Sequence, residues 1–172
     1  MSADENMVIN RVDDNDTPLG TIARGSVFAA HANFRVVHIF VFNHRGDLLL
    51  QQVGFSRTRH PGYWGSSVAG YVAAGEAYEA AAYRRTSQEL GLSHCRLTSV
   101  GKTEMSDEGC KKFIELFTTV ADGPFEFDRD HIAKLEFQSL ERILQMYRSG
   151  ARRFTPTFLH VLRFYDQTRR VA

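Results

Sequence analysis

Between Phe34 and Phe42 apolar side chains occupy both alternating sets of a strand: Val36, His38, Phe40 and Phe42 on one, Val37, Ile39 and Val41 on the other. A strand with two largely apolar faces belongs inside a sheet that is covered on both sides. The turn formers Asn43, His44, Arg45 and Gly46 follow, then the apolar run at residues 48–53, which together predict a β-hairpin. A smaller hairpin is predicted over residues 7–24, where two β-rich runs flank the turn-forming DDND. Residues 77–90 are rich in alanine and other helix formers and stop at Gly91, a natural left-handed cap. Strand-like runs recur at residues 95–104, 111–120 and 133–140. Ser139 is placed to cap a helix over 140–148, and Thr155 before Pro156 makes a cap and first-turn pair for a last one. Strands outnumber helices without a regular βαβ succession. The expected class is therefore α+β, a mixed β-sheet sandwiched between helices.

Composition narrows the possibilities. The 172 residues are 43% hydrophobic, enough for one core, so a single domain over 1–172 is expected. Basic and acidic residues number 21 and 20, which argues against broad electrostatic capture of nucleic acid or an anionic membrane. No apolar run approaches the roughly 20 residues of a membrane span, and the acidic N-terminus lacks the apolar region of a secretion signal. Cys95 and Cys110 have no metal-like spacing and suit a reducing compartment, so the chain is expected in the cytoplasm.

The chemistry concentrates at residues 70–92. Gly70, Glu76, Arg84, Glu89, Gly91 and Leu92 stand at the spacing of the Nudix box, and the chain resembles the Nudix hydrolase superfamily over residues 7–165. The resemblance implies a Nudix fold, an α/β/α sandwich, and a divalent cation, Mg²⁺ or Mn²⁺, that shields a diphosphate and activates water. At 100° per residue, positions 85, 88 and 89 share one helix face. Three carboxylates there would cage a hard cation. This chain has Arg85, Gln88 and Glu89 instead, whose formal charges cancel. A neutral face cannot recruit free Mg²⁺ by charge. It can receive a cation already carried by a diphosphate, with Glu89 as ligand and Arg85 on a phosphate oxygen. The plainer alternative is an i, i+4 ion pair between Arg85 and Glu89, worth ~0.3 to 0.5 kcal/mol on a surface.

Within the superfamily, residues 84–91 and 28–52 are similar to isopentenyl diphosphate isomerases. That resemblance implies a metal-binding role for His31 and His38 and a diphosphate grip by Arg57 and Arg85. The rest of the isomerase site is not carried over. Ala69 and Tyr71 stand where that family has its catalytic cysteine and a metal ligand. Cys110 and Lys112 fall on its paired glutamates, and Arg152 on its isoprenoid-covering tryptophan. Proton transfer across a double bond needs an acid and a base on opposite sides, and both are replaced. Phe154 to Pro156 resemble a group of Nudix proteins labelled as hydrolases.

The expected function is metal-dependent hydrolysis of a small diphosphate compound, nucleoside diphosphates among the candidates, slow because the box is degenerate. Glu89 would bind the metal, Glu76 and Arg84 would organise the loop, and Arg57, Arg85 and Gly70 would meet the diphosphate. The alternatives are a non-catalytic diphosphate-binding module and a divergent isomerase-like protein. The partner is a small-molecule diphosphate, not nucleic acid or membrane. The resemblance also allows a homodimer, to which no residue points.

Each of these residues also has a plainer role. His38 suits a hydrogen-bonded core histidine. Glu76 suits the start of a helix, Arg84 a solvated surface residue, where the resemblance implies a brace for the loop, and Arg57 to His60 a solvated loop. Glu104, Asp107, Glu108 and Glu115 are further carboxylates beyond the box; Glu115 lies on a strand, and the loop acids are expected in solvent. Tyr63 and Trp64 are expected to pack against the loop rather than stack on a ligand.

Overall fold

The computed structural model describes residues 6–172; the acidic first five residues lie outside the described part. Nine strands and three helices follow one another as β1 (Val8–Val12), β2 (Pro18–Ala23), β3 (Phe34–Phe42), β4 (Leu48–Val53), β5 (Trp64–Gly65), β6 (Val68–Tyr71), α1 (Tyr78–Leu90), β7 (Thr98–Asp107), β8 (Cys110–Val120), β9 (Ile132–Gln138), α2 (Leu140–Ser149) and α3 (Pro156–Val171). β1 and β2 form the separate N-terminal hairpin, and the other strands form one mixed sheet.

β3 lies at the centre of that sheet, as its double apolar pattern predicts. One edge runs parallel to β8 along the whole strand, from Phe34 opposite Lys112 to Phe42 opposite Val120. Val36 and Phe40 join the core beneath α2 and α3, with Ile143, Met146, Phe158 and Val161. Val37, Ile39 and Val41 join the core beneath α1, with Tyr78, Ala81, Ala82 and Leu90. Three layers result, α1 over the sheet over α2 and α3.

The other edge of β3 departs from the simple hairpin. β4 pairs with β3 only at Phe42 and Leu48, while Val36 to Ile39 pair antiparallel with β6. β4 turns away to pair with β5 and β9. The turn at residues 43–47 closes as expected, with Asn43 N donating to Asp47 O and Gly46 at φ 85°. Ser67 spans the opening: its hydroxyl accepts from Val41 N at 2.9 Å and donates to Leu49 O at 2.6 Å. A side chain thus satisfies two backbone groups that a continuous ladder would have paired. The opening between β6 and β4 is where the site forms.

The ends of the helices follow the sequence signals. Gly91 caps α1 at φ 67°, Ser139 Oγ accepts from Arg142 N, and Thr155 Oγ1 accepts from Phe158 N with Pro156 starting α3. Among the described residues no helix is long and apolar enough to cross a membrane.

Candidate diphosphate site

Residues 71–76 form a loop between β6 and α1 that is tied from several sides. Glu76 Oε2 accepts from Ala73 N at 2.9 Å. Arg84 reaches back along α1 to Glu76, with Nε at 2.8 Å from Oε1 and Nη2 at 2.9 Å from Oε2, and also donates to Tyr71 O at 3.1 Å. The Arg84 hydrogen bonds hold the Glu76 carboxyl below its ordinary value. This arrangement fixes the loop geometry and occupies both Glu76 oxygens.

One turn further, Glu89 is buried beneath the cleft. Its Oε2 accepts from Arg85 Nε at 3.2 Å, and its Oε1 accepts from Gln51 Nε2 at 2.9 Å. Burial raises the Glu89 carboxyl above its ordinary value, and the Arg85 charge and the Gln51 bond offset only part of that. Arg84 and Arg85 both donate to Gln88 Oε1, at 3.3 Å each. Arg85 also lies flat across Gly70: a Cβ there would overlap its side chain, with Cδ only 2.7 Å away. The glycine therefore leaves room for a guanidinium.

Above this helix face the cleft has two communicating compartments. An inner one of about 220 Å³ includes Phe34, Val36, His38, His60, Tyr71 and Lys112 in its lining. An outer one of about 460 Å³ includes Gln51, Thr58, Gln88, Glu89, Asp128 and His131. Arg24, Arg57, Arg59, Ala69 and Arg85 line both. Four guanidinium groups thus converge where the compartments meet. Arg24 stacks over the Tyr71 ring at 4.6 Å, and the Arg57 side chain has no hydrogen-bond or ion-pair partner among the described residues. Of these, Arg57 and Arg85 were legible in the sequence as a pair; Arg24 comes from the short turn that follows the distant N-terminal hairpin.

The inner floor is a polar network. Lys112 Nζ lies 2.6 Å from Asp107 Oδ2 and 2.8 Å from Thr157 Oγ1. Arg59 Nη2 pairs with Asp107 Oδ1 at 2.9 Å. Burial opposes ionisation of Asp107, but the hydrogen bonds from Arg59 and Lys112 prevail and hold its carboxyl below the ordinary value. Asp107 thus sits behind Arg59 and Lys112, at the end of β7, and not in the solvent expected of a loop acid. Glu115 hydrogen-bonds Ser99 on β7 at 2.8 Å and does not line either compartment.

His38 is buried with Nδ1 2.7 Å from Ser66 Oγ, and burial, reinforced by Lys112 and His160, lowers it to about 3. It is a neutral, hydrogen-bonded histidine on the floor of the inner compartment. His31 lies beyond the start of β3, exposed, beside the Gly109 turn between β7 and β8. The structure does not gather the two with Glu89: among the described residues no group of three or more His, Cys, Asp or Glu could hold a metal ion. Both Glu89 oxygens already accept from protein donors. The donor set therefore does not fit a resident divalent cation of the kind the family generally uses. Trp64 is 7% exposed and lies under the Arg152 guanidinium at 4.2 Å, packed as expected and away from the cleft.

Comparison with known proteins agrees with this architecture. Residues 32–158 match the NUDIX domain family. The chain belongs to the Nudix family. It is 30% identical over 164 residues to the "Uncharacterized Nudix hydrolase PA4841" of Pseudomonas aeruginosa, covering 95% of this chain and 96% of that protein. It is 31% identical over 168 residues to an isopentenyl-diphosphate Delta-isomerase of Streptomyces avermitilis, covering 92% and 83% respectively. In fold it is similar to DR0079 from Deinococcus radiodurans, with a TM-score of 0.78 at 22% identity over 95% of this chain and 98% of that one. The NUDIX domain of Shewanella oneidensis NrtR, solved with ADP ribose, superposes with a TM-score of 0.62 at 16% identity over 82% and 90%. The isomerase-like and hydrolase-like resemblances read from the sequence are thus both present among its relatives.

Sequence reasoning missed Gln51, Asp128 and His131 at the outer compartment. The spacing Asp-x-x-His at 128–131 was the available signal. Nothing local says that this loop folds back onto α1.

Proposed function

We propose that this Nudix protein binds a small organic diphosphate where its two compartments meet and hydrolyses the phosphoanhydride bond. The observation that carries the reading is the presence of Arg24, Arg57, Arg59 and Arg85 in the lining of both compartments, against only Glu89 and Asp128 as carboxylates of the outer one. Guanidinium groups match phosphate oxygens in geometry and charge. The diphosphate lies across Gly70 and Arg85, with Arg57 closing over it. A divalent ion in this reading travels with the substrate as its counter-ion. Arg84 and Glu76 keep the loop in register, and Glu89 holds Arg85 in place. Turnover is slow, since each 1.4 kcal/mol of transition-state stabilisation lost costs about tenfold in rate.

A second reading, a diphosphate-binding module without catalysis, is favoured by the occupied oxygens of Glu76 and Glu89. Isomerisation is disfavoured by Ala69 and by Lys112, which places an ammonium where proton transfer to carbon needs an acid–base pair. The test is a panel of ADP, GDP, CDP, UDP and isopentenyl diphosphate, each with and without Mg²⁺, read for phosphate release, isomer formation and thermal stabilisation. Phosphate release lost in Arg57→Ala and Arg85→Ala supports hydrolysis. Stabilisation without release supports the binding module, and neither stabilisation nor release by any compound refutes both.

A further inference from the structure

With Glu76 and Glu89 held by guanidiniums, the cleft needs another group to take the proton of an attacking water. The outer compartment contains one. Asp128 and His131, in the turn just before β9, form a side-chain pair with Asp128 Oδ2 2.5 Å from His131 Nδ1. The imidazole Nε2 has no partner among the described residues, and both side chains line the compartment that contains Arg57, Arg85 and Glu89. A carboxylate on Nδ1 selects the tautomer whose Nε2 lone pair is available and stabilises the imidazolium once it forms.

The turn is anchored in a way that a solvated loop does not require. Asp128 N donates to Glu89 O at the end of α1, at 3.1 Å. On the other side Gly54 N donates to His131 O at 2.8 Å. Gly54 is open to this approach because a Cβ there would lie 2.8 Å from that same carbonyl. Asp130 N and Ile132 N close the turn on Asp128, at 3.0 and 2.9 Å. The turn is thereby strapped to the helix that holds Arg85 and to the strand end that begins the Arg57 loop. Burial opposes the Asp128 charge, but the bonds from His131 and Asp130 outweigh it and hold the carboxyl below its ordinary value. The other cleft imidazoles are less suited: His38 is committed to Ser66, and His60 is depressed by burial and by Arg59.

We infer that His131, oriented by Asp128, is the general base of this site. The inference rests on the hydrolytic reading above. Water attacks one phosphorus of the diphosphate while its proton passes to His131 Nε2. The new P–O bond forms as the bridging P–O bond breaks, and the bonding pair leaves on the departing phosphate oxygen. The imidazolium then returns the proton to solvent. A nucleoside diphosphate and water give nucleoside monophosphate, inorganic phosphate and one proton.

The experiment uses the full chain with ADP, GDP, CDP and UDP, measuring phosphate release in single turnover and affinity by calorimetry. His131→Gln is expected to lower the rate by on the order of 100-fold or more with affinity unchanged, and Asp128→Asn to lower it less. His131→Gly is expected to regain rate on addition of free imidazole, a rescue that a purely structural role would not give. Both His131 variants keep the backbone carbonyl that binds Gly54. His131→Gln at the wild-type rate overturns the assignment while leaving hydrolysis intact. Binding by the wild type without phosphate release overturns both the base and hydrolysis but keeps the diphosphate site; no binding removes the site itself.

Discussion

Two neighbouring arginines of α1 each pair with a glutamate, Arg84 with Glu76 in the preceding loop and Arg85 with Glu89 on the helix, and the two pairs behave in opposite ways. Arg84 and Glu76 meet near the rim, where the guanidinium bonds dominate and hold the Glu76 carboxyl below its ordinary value. Arg85 and Glu89 meet one turn deeper, where burial dominates and pushes Glu89 up in spite of its partner. The same two functional groups therefore make a rigid brace in one place and a costly buried ion pair in the other. A buried pair rarely improves stability over an apolar substitute, so the Arg85–Glu89 pair is not explained by stability alone.

The sharpest way to break this comparison is Arg85→Ala, which strips a buried carboxylate of its main partner. The expected cost is about 2 to 3 kcal/mol in urea unfolding, since breaking a buried pair leaves an uncompensated charge, with loss of diphosphate affinity. Gly70→Ala comes next. It leaves both partners present but forces Arg85 off its path, for an expected loss of about 1 to 2 kcal/mol and weaker diphosphate binding. Arg84→Ala is expected to cost about 1 kcal/mol, because solvent replaces part of what is lost, and to loosen the 71–76 loop in hydrogen exchange.

The smallest effect is a difference in pH response. Glu89 has a folded value above its unfolded one, so it favours the folded state increasingly as pH falls into its titration range and disfavours it above. Glu76 has a depressed folded value, so its contribution is full above the unfolded glutamate value and is lost as pH falls through the folded one. The stability of Glu89→Gln relative to wild type is therefore expected to fall as pH is lowered from neutral, and that of Glu76→Gln to rise in stronger acid. Parallel curves for the two variants would remove the distinction.

The central strand, the α1 helix and its glycine cap, and the starts of α2 and α3 were all legible because each is encoded by a short run of neighbouring residues. The β3–β4 hairpin was legible at its turn alone: β6 takes the remaining edge, and no local pattern announces that competition. The brace role of Arg84 was implied by the family resemblance; its partner Glu76 lies outside the helix, eight residues away. Arg24, Gln51, Lys112 and the Asp128–His131 turn reach the cleft through tertiary folding from four separate segments. Asp107 read as a loop acid because its partners Arg59 and Lys112 lie 48 and 5 residues away, one of them across the cleft loop.

The gap in the sheet, spanned by the hydroxyl of Ser67, separates two design variables that most sheets lock together. Strand spacing is fixed wherever amide ladders run, yet here a single short side chain joins β3 to β4, with the Gln51 amide on Ser67 O as a second tie. Because Ser67 is fully buried, a longer side chain has no room there, and the parting of β3 from β4 stays at the reach of one hydroxyl.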